Sequence, residues 1–523
     1  MGALTSKPYA FTARPWELRT VESVDFFDSF GSSIRIDTRG LKVMRVLPRI
    51  NESLNEEWIT DKIRFAYDGF HRQRLIAPLR NLVGQFRKLT WSEAYFELFS
   101  TYLQKVGAKP LYFNLFVGRF VDSISFYAIR SLVLRLLQIS QNLRGTGAYI
   151  SPSRFLNVIS LESAAAKLPT LFRSSYTVQP IADMVNANAL LILNTNLRVE
   201  SPLLNVRLRR AVMQRNIPVY TLGLCADLTY SSNSLGNNLD YLVAVAEGRH
   251  PLVRFVSKLD KVSAFYSVNV LKFGNMFLLL DKLKDLARQS TSGLKVSTNL
   301  VFSNISSVTM ADYGLLGSGS ANASASRTYS NFVWVMDNDE VCFSTDYLNN
   351  DDTFTVYSGH HGDRNALKAA LVLPFAAPFE KPVSFANMFG TSLNVFSPAL
   401  APVGNSTTEL SFSHTFASYL FSFFNGKSKH HYKDVLRSNA NVRLQLGYLR
   451  STNIQSQYKP IELVYSATDV PLLNCADISS TYINSDFITS NNESYYLDNS
   501  IARASTTMAL SHSRFQRYLV NFR

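Results

Sequence analysis

The residue types in this chain that could do chemistry are few and scattered: two histidine pairs, three cysteines and one Asn-Thr-Asn loop. His360-His361, followed by Gly362-Asp363, comes after a predicted strand and has the residue type to hold a metal or move a proton near neutral pH. Adjacent residues leaving a strand do not readily share one small ion, and no second histidine or carboxylate motif has ligand spacing. His430-His431 has the same weakness, so both pairs are read as structural. Cys225, Cys342 and Cys475 lie far apart. A four-iron cluster needs four thiolates, normally closely spaced, so these three cannot build one alone. They form no disulfide framework either, which suits a reducing interior, and each reads as a small buried residue. No intact G-x-G-x-x-G is present. The sequence therefore names no catalytic, cofactor-binding or metal-ligating residue.

The elements that would position these residues alternate between strand and helix, which argues for parallel sheets covered by helices. Residues 111–117 read as a buried strand and 121–137 as a helix, with Ile124, Tyr127, Val133 and Leu137 among its apolar positions. Residues 188–209 read as strand, loop and helix, with Ser201 as N-cap and Pro202 at the first helical position. Residues 217–222 form the next strand; 91–104, 277–287 and 414–424 have helical spacing. Near the start, Ile34 and Ile36 pair with Val43 and Leu47 across Thr38-Arg39-Gly40, a short antiparallel hairpin. Asn55 is expected to cap a helix running to about Tyr67, and Trp16 and Trp58 to be packing anchors. Residues 142–153 look like a domain crossover and 318–326 a low-complexity loop.

At 523 residues the chain has room for about three to four domains. Hydrophobic residues at 46% and charged residues at 18% describe large ordered cores. No apolar run approaches the ~18 residues of a membrane span, so no direct membrane span is expected. The net charge of +14 raises the question of nucleic acid, but the basic residues are scattered. The densest group, Arg207, Arg209, Arg210 and Arg215, sits on one predicted helix without interleaved aromatics. The expectation is no nucleic acid, and a basic subunit docked against acidic neighbours.

Four separated blocks carry a resemblance. The first runs from Lys7-Pro8-Tyr9 through Arg14-Pro15-Trp16-Glu17-Leu18, Arg45-Val46-Leu47-Pro48-Arg49 and Glu56-Glu57-Trp58-Ile59 to Arg64-Phe65-Ala66-Tyr67-Asp68-Gly69. The second holds Asn188 to Asn196 and Glu200-Ser201-Pro202-Leu203-Leu204. The third holds Phe332 to Met336, Tyr357-Ser358-Gly359-His360-His361-Gly362-Asp363 and Glu380-Lys381-Pro382-Val383. The fourth is Ser494 to Ala509. In this order the blocks resemble the large iron–sulfur subunit of respiratory complex I, at its C-terminal, molybdopterin-oxidoreductase-like part.

The resemblance implies an α/β fold of molybdopterin-oxidoreductase type, with a small mainly β N-terminal module followed by two doubly wound α/β domains. The domains would be 1–70, the β-rich module; 71–140 with 331–420, a discontinuous first α/β domain; 141–330, an inserted second one; and 421–523, an extension packing back on the body. A methionine stands where the family's last cluster cysteine would precede Gly2, so the chain reads as the later piece of a split subunit. The barrel that closes the cofactor site of catalytic relatives reads as absent. No cofactor is expected on this chain; the iron–sulfur clusters would sit on a partner, the ferredoxin-like N-terminal half of the same subunit. Other peripheral-arm subunits would be further partners, on the matrix side of the mitochondrial inner membrane or the bacterial cytoplasmic side. Asn194 stands where the family and catalytic relatives usually carry glycine, and its side chain would obstruct a nucleotide phosphate. Residues 145–173, where a catalytic relative presents its metal ligand, contain no cysteine; Ser151, Ser153, Ser160 and Ser163 are present there, but nothing around them marks one as a ligand. The expected role is a redox-inert structural subunit scaffolding the cluster chain between NADH/flavin and ubiquinone, a component of NADH:ubiquinone oxidoreductase with no catalytic residues of its own. The alternatives are an active molybdopterin-dependent oxidoreductase with its iron–sulfur domain on another chain, and a free-standing nucleotide-binding protein.

Overall fold

The computed structural model describes residues 5–82, 84–108, 111–144, 156–160, 181–223, 227–236, 249, 259–267, 295–312, 330–338, 353–362, 364–424 and 495–521. The expected helix at 277–287, the low-complexity loop at 318–326, Cys225, Cys342, Cys475 and His430-His431 lie outside them.

The chain opens with an antiparallel sheet of β1 (Arg19–Val24), β2 (Ser33–Arg39) and β3 (Lys42–Pro48), in that order. The predicted hairpin is β2–β3, with Ile36 opposite Val46. Gly40 makes its turn at φ 61°, a left-handed conformation that costs glycine least. Ile34 and Ile36 alternate onto the buried face, as a period of two requires. Val43 and Val46, three apart, both reach it because the register shifts at Asp37/Thr38, so Val46 is buried in place of the expected Leu47. The helix expected from Asn55 to Tyr67 is shorter: an α-helix covers Asp61–Phe65 and a 3-10 helix Ala66–His71. Asn55 does not cap it. Its carboxamide instead ties a loop, accepting from Ser33 N (3.1 Å) and donating to the carbonyls of Arg49 (3.1 Å) and Trp58 (3.1 Å).

The body is built on two sheets. The chain runs through β4 (Leu79–Leu82), β5 (Gln85–Lys88), β6 (Leu111–Val117) and β7 (Leu156–Ser160). It then makes β8 (Ala189–Leu193), β9 (Val219–Leu222), β10 (Asn233–Ser234), β11 (Lys261–Ser267) and β12 (Lys295–Val301). It returns with β13 (Ser330–Met336), β14 (Thr353–Gly359) and β15 (Leu371–Pro374), and adds the hairpin β16 (Val383–Ala386) and β17 (Ser392–Val395). The seven-stranded sheet has the order β5-β4-β15-β14-β13-β6-β7, and the five-stranded sheet β10-β9-β8-β11-β12. Every pair in the smaller sheet is parallel; the larger is parallel from β15 to β7, with β4 and β5 antiparallel at one edge. Strands covered on both faces read as continuous apolar runs, and β8 and β15 are buried at every position. β7, which falls in the stretch read from the sequence as the inserted domain, pairs with β6 of the larger sheet. The smaller sheet thus lies in sequence between strands of the larger one.

The helix Ser123–Arg144 starts two residues later than its apolar spacing predicts and runs seven further. The start is set by Asp122, whose Oδ2 accepts from the N–H groups of Ile124 (3.2 Å) and Ser125 (3.4 Å). Pro202–Arg215 begins at the predicted proline, but Ser201 makes no capping bond; its hydroxyl lies 3.8 Å from Met388 Sδ. The last described segment, Tyr495–Leu497, Ser500–Ala504 and Thr506–Asn521, packs back on the N-terminal module. Asp68 accepts from the hydroxyls of Ser505, Thr506 (3.0 Å) and Thr507 (3.1 Å). Among the described residues no helix is long and apolar enough to cross a membrane.

A candidate ligand cleft at two sheet switch points

Strand order decides where such a fold can hold a ligand. In an open parallel sheet, ligands lie outside the carboxyl ends of the strands where the order reverses. In the larger sheet β6 leads to β7 on one side and β13 to β14 and β15 on the other, so the reversal lies between β6 and β13. In the smaller sheet it lies between β8 and β11. Gly118 follows β6, Asp337 follows β13 and His360-His361 follow β14; Asn194 follows β8. The topology therefore brings the histidine pair to one switch point and the Asn-Thr-Asn loop to the other.

The first switch point is filled by the protein's own atoms. Gly118 N donates to Met336 O (2.8 Å), and a Cβ on Gly118 would run into the carbonyl oxygen of Asp337. Asp337 has φ 46°, the strained left-handed region for a residue with a side chain, and its N–H donates to Ser358 O (2.7 Å). Both histidines are buried. His361 Nε2 lies 2.9 Å from Gly69 O and so carries the proton that it donates there. Burial, with His360 beside it, pushes its pKa well below the usual histidine range, so the ring is neutral and its Nδ1 accepts. His360 Nδ1 lies 2.5 Å from that Nδ1 and donates to it, leaving His360 Nε2 3.1 Å from Asp337 Oδ2. A hydrogen-bonded line thus runs from His360 through His361 to Gly69 in the N-terminal module, with the Asp337 carboxylate lying against His360 Nε2 without a hydrogen bond to it. Arg74, in the same region, makes a bidentate pair with buried Glu380 (2.6 and 2.7 Å).

Aromatic rings close the crevice above this line. Phe120 sits 5.6 Å from the His360 ring and 5.5 Å from both Phe26 and Phe27 of the module. Phe26 meets Phe379 at 5.0 Å, and Phe379 stacks on Phe70 at 4.6 Å. Such pairs contribute about 0.5–1.5 kcal/mol each beyond the area they bury. Beside them Lys381 Nζ donates to Ser125 Oγ (2.7 Å) and to both Glu409 oxygens (2.7 and 2.8 Å), and lies 3.1 Å from Asp122 Oδ1. Burial opposes the charge on Lys381, but Asp122 and Glu409 outweigh it and hold the ammonium pKa above its ordinary value. Burial raises the Glu409 carboxyl despite that lysine.

At the second switch point Asn194 is buried at φ 44°, and its N–H donates to Leu222 O (2.7 Å). The backbone there keeps a conformation that glycine adopts freely, and asparagine is among the few side chains that tolerate it. Thr195 Oγ1 donates to Glu200 Oε2 (2.9 Å). The carboxyl end of the neighbouring β12 is also met by the module, since Ser29 Oγ donates to Phe302 O (2.6 Å). Trp16 and Trp58, expected as packing anchors, are 80% and 50% exposed. Lys62, Asp498 and the Asp25–Asp28 pair were not legible as a cluster in the sequence. Lys62 Nζ donates to Asp498 Oδ2 (2.6 Å), which also accepts from Arg119 (2.8 Å), across more than 370 residues of chain. No sequence pattern joins residues so far apart.

The family model described as molybdopterin oxidoreductase matches residues 74–413. The chain belongs to this family. Its similar proteins include the NADH-ubiquinone oxidoreductase 75 kDa subunit of Reclinomonas americana, 36% identical over 77% of this chain and 57% of that protein. The 75 kDa subunit of Acanthamoeba castellanii is 29% identical over 100% of this chain and 70% of that protein. The mitochondrial NADH dehydrogenase [ubiquinone] iron-sulfur protein 1 of Solanum tuberosum is 34% identical over 77% and 52%. The chain thus spans between about half and 70% of the length of these relatives. The resemblance to the large subunit of complex I and the α/β molybdopterin-oxidoreductase fold class hold.

One expectation is corrected. The iron–sulfur part was expected on a separate partner chain, with no cofactor on this one. A model described as the NADH-ubiquinone oxidoreductase NDSU1/NuoG-like 4Fe-4S domain matches residues 18–68 of this same chain, so that domain, and the iron–sulfur binding it indicates, belong here. The side chains in the match were tested for fit. Residues 18–68 contain no cysteine, and the three cysteines of the chain lie elsewhere. The buried polar groups in the match include oxygens: Thr60 Oγ1 donates to Asp25 Oδ2 (3.3 Å), and Asp28 Oδ1 accepts from Phe30 N (3.1 Å) and Gly31 N (3.4 Å). Asp28 Oδ2 and Ser32 Oγ have no hydrogen-bond partner among the described residues. Burial, reinforced by Asp28, raises the Asp25 carboxyl well above its ordinary value, and burial pushes Asp28 up to about 6. Clusters are held by thiolates, and these oxygens do not fit that chemistry.

Proposed function

We propose that this chain is a structural subunit of the peripheral arm of respiratory complex I, on the matrix side of the mitochondrial inner membrane. Its α/β body acts by position: electron transfer between NADH/flavin and ubiquinone needs redox centres kept fixed and shielded, and a large packed body supplies that frame. The observation that carries this reading is the filled switch point of the larger sheet. There Gly118, Asp337 and His360 close on one another beneath Phe120, Phe26 and Phe27, where an active member of the fold would need room for a pterin cofactor. The names of the similar proteins support the choice of complex and organelle. On this reading the body divides into a module to about residue 70, a discontinuous α/β unit around the larger sheet, an inserted unit around the smaller sheet, and a C-terminal segment that packs back.

The test is to tag the chain in its own organism, solubilise the membranes gently and separate complexes by native electrophoresis. The expected outcome is comigration with NADH dehydrogenase activity, loss of that band when the chain is depleted, and no pterin released from the purified chain. A stoichiometric pterin, or a chain that never enters the active band, would overturn the proposal.

A further inference from the structure

The tip of the N-terminal module carries two costs that its own fold does not offset. Phe11 has φ 62°, a left-handed conformation that disfavours a bulky side chain, and its ring is fully exposed at 101%. Trp16 (80%) and Leu41 (68%) are exposed beside it. The three form one patch because Arg39 Nη1 donates to Thr12 O (3.0 Å) and to Glu17 Oε2 (3.2 Å), drawing that segment against the turn that holds Leu41. Local contacts hold this display in place. Ala10 N donates to Ser6 O (2.8 Å), Thr12 Oγ1 donates to Tyr9 O (2.6 Å), and the Arg45 guanidinium lies 4.6 Å over the Tyr9 ring. A side chain held out by a hydrogen-bonded turn loses little freedom on binding.

The charge around the patch is one-sided. Lys7, Arg14, Arg19 and Lys42 are exposed about it, while Glu17 is engaged by Arg39. Lys7, Arg19 and Lys42 make no ion pair among the described residues. Aromatic anchors ringed by cations match a protein surface with an apolar recess bordered by carboxylates. A single-stranded nucleic acid would instead ask for cations tracking past stacked rings, and here they surround the rings.

We propose that the Phe11–Trp16–Leu41 tip is a docking face for an acidic protein surface. The proposal rests on the reading of the chain as one subunit of a larger assembly. The experiment replaces Phe11 with the photo-crosslinker p-benzoylphenylalanine in the full-length chain, irradiates the intact assembly and sequences the crosslinked peptide. The expected result is an adduct to a different polypeptide, in a peptide rich in Asp and Glu, whose yield falls at least about tenfold in the double variant Arg19→Glu/Lys42→Glu. An adduct to a second copy of this chain, to nucleic acid or to lipid, no adduct, or an undiminished yield after charge reversal would each overturn it. Native electrophoresis of the same samples separates the two failures. Comigration with NADH dehydrogenase activity without an adduct removes the docking face alone; the expected adduct without comigration removes the complex I reading alone.

Discussion

Arg74 and Glu380 meet through two parallel hydrogen bonds of 2.6 and 2.7 Å, with side chains only 3% and 0% exposed. Arg74 also donates to Phe70 O (3.0 Å), and Ala377 N donates to Glu380 Oε2 (3.0 Å), so the pair ties the end of the module to the loop after β15. Removing one partner strands a buried charge. Glu380→Ala should cost about 3–5 kcal/mol in urea unfolding, and the double replacement Arg74→Met/Glu380→Leu should cost less than that single change. A double variant no more stable than Glu380→Ala would count against this account of the pair.

Gly118 offers a sharper test of the closed switch point. The carbonyl of Asp337 stands where a Cβ would go, and backbone cannot swing aside as a side chain can. Gly118→Ala should therefore lower the thermal midpoint far more than Gly362→Ala, whose new Cβ would meet only Leu75 Cδ2 at 3.3 Å. Similar midpoints for the two variants would mean that the crevice has slack.

Asn194 separates conformation from side-chain chemistry. At φ 44°, Asn194→Ala should lose about 1–2 kcal/mol, while Asn194→Gly should be the milder change because glycine enters this region freely. Chemical denaturation of the two variants checks the order; alanine faring as well as glycine would refute it.

Asp28 predicts a pH dependence with a defined sign. Burial raises its folded-state pKa to about 6, above the ~3.9 of an unfolded chain. Its contribution is present in full below the unfolded value and is lost as pH rises through about 6. Asp28→Asn, neutral at every pH, should gain stability relative to the parent between pH 5 and pH 8, by about 1.4 kcal/mol. Urea midpoints at the two pH values measure this directly. An equal difference between the two proteins at both values would exclude the buried acid as the cause.

Local pattern was enough for the elements and too little for the cluster. The strand at 111–117 was legible as a short apolar run buried on both faces, and the hairpin across Gly40 from the alternation of Ile34 and Ile36, because both patterns are written in adjacent residues. Asn55 misled because the same side chain that caps a helix also ties a loop, and only the positions of Ser33 and Arg49 decide between them. Trp16 and Trp58 misled because a tryptophan in sequence does not say whether its cover belongs to its own chain. The histidine pair was rightly placed after a strand, but its link to Gly69 O depends on a contact 292 residues away. Lys62, Arg119 and Asp498 converge through tertiary folding alone.

The return of Asp498 and Ser505 to Lys62 and Asp68 has a bearing on how the molecule is made. A ribosome adds about 5–20 residues per second, so some 430 residues and roughly 20–90 seconds separate Asp68 from Asp498. For that interval Ile63 and Phe70 have emerged, while Ile501 and Met508, which share their apolar core, have not. Until residues 495–508 are made, the nascent module keeps that face uncovered, and it is this segment that buries it.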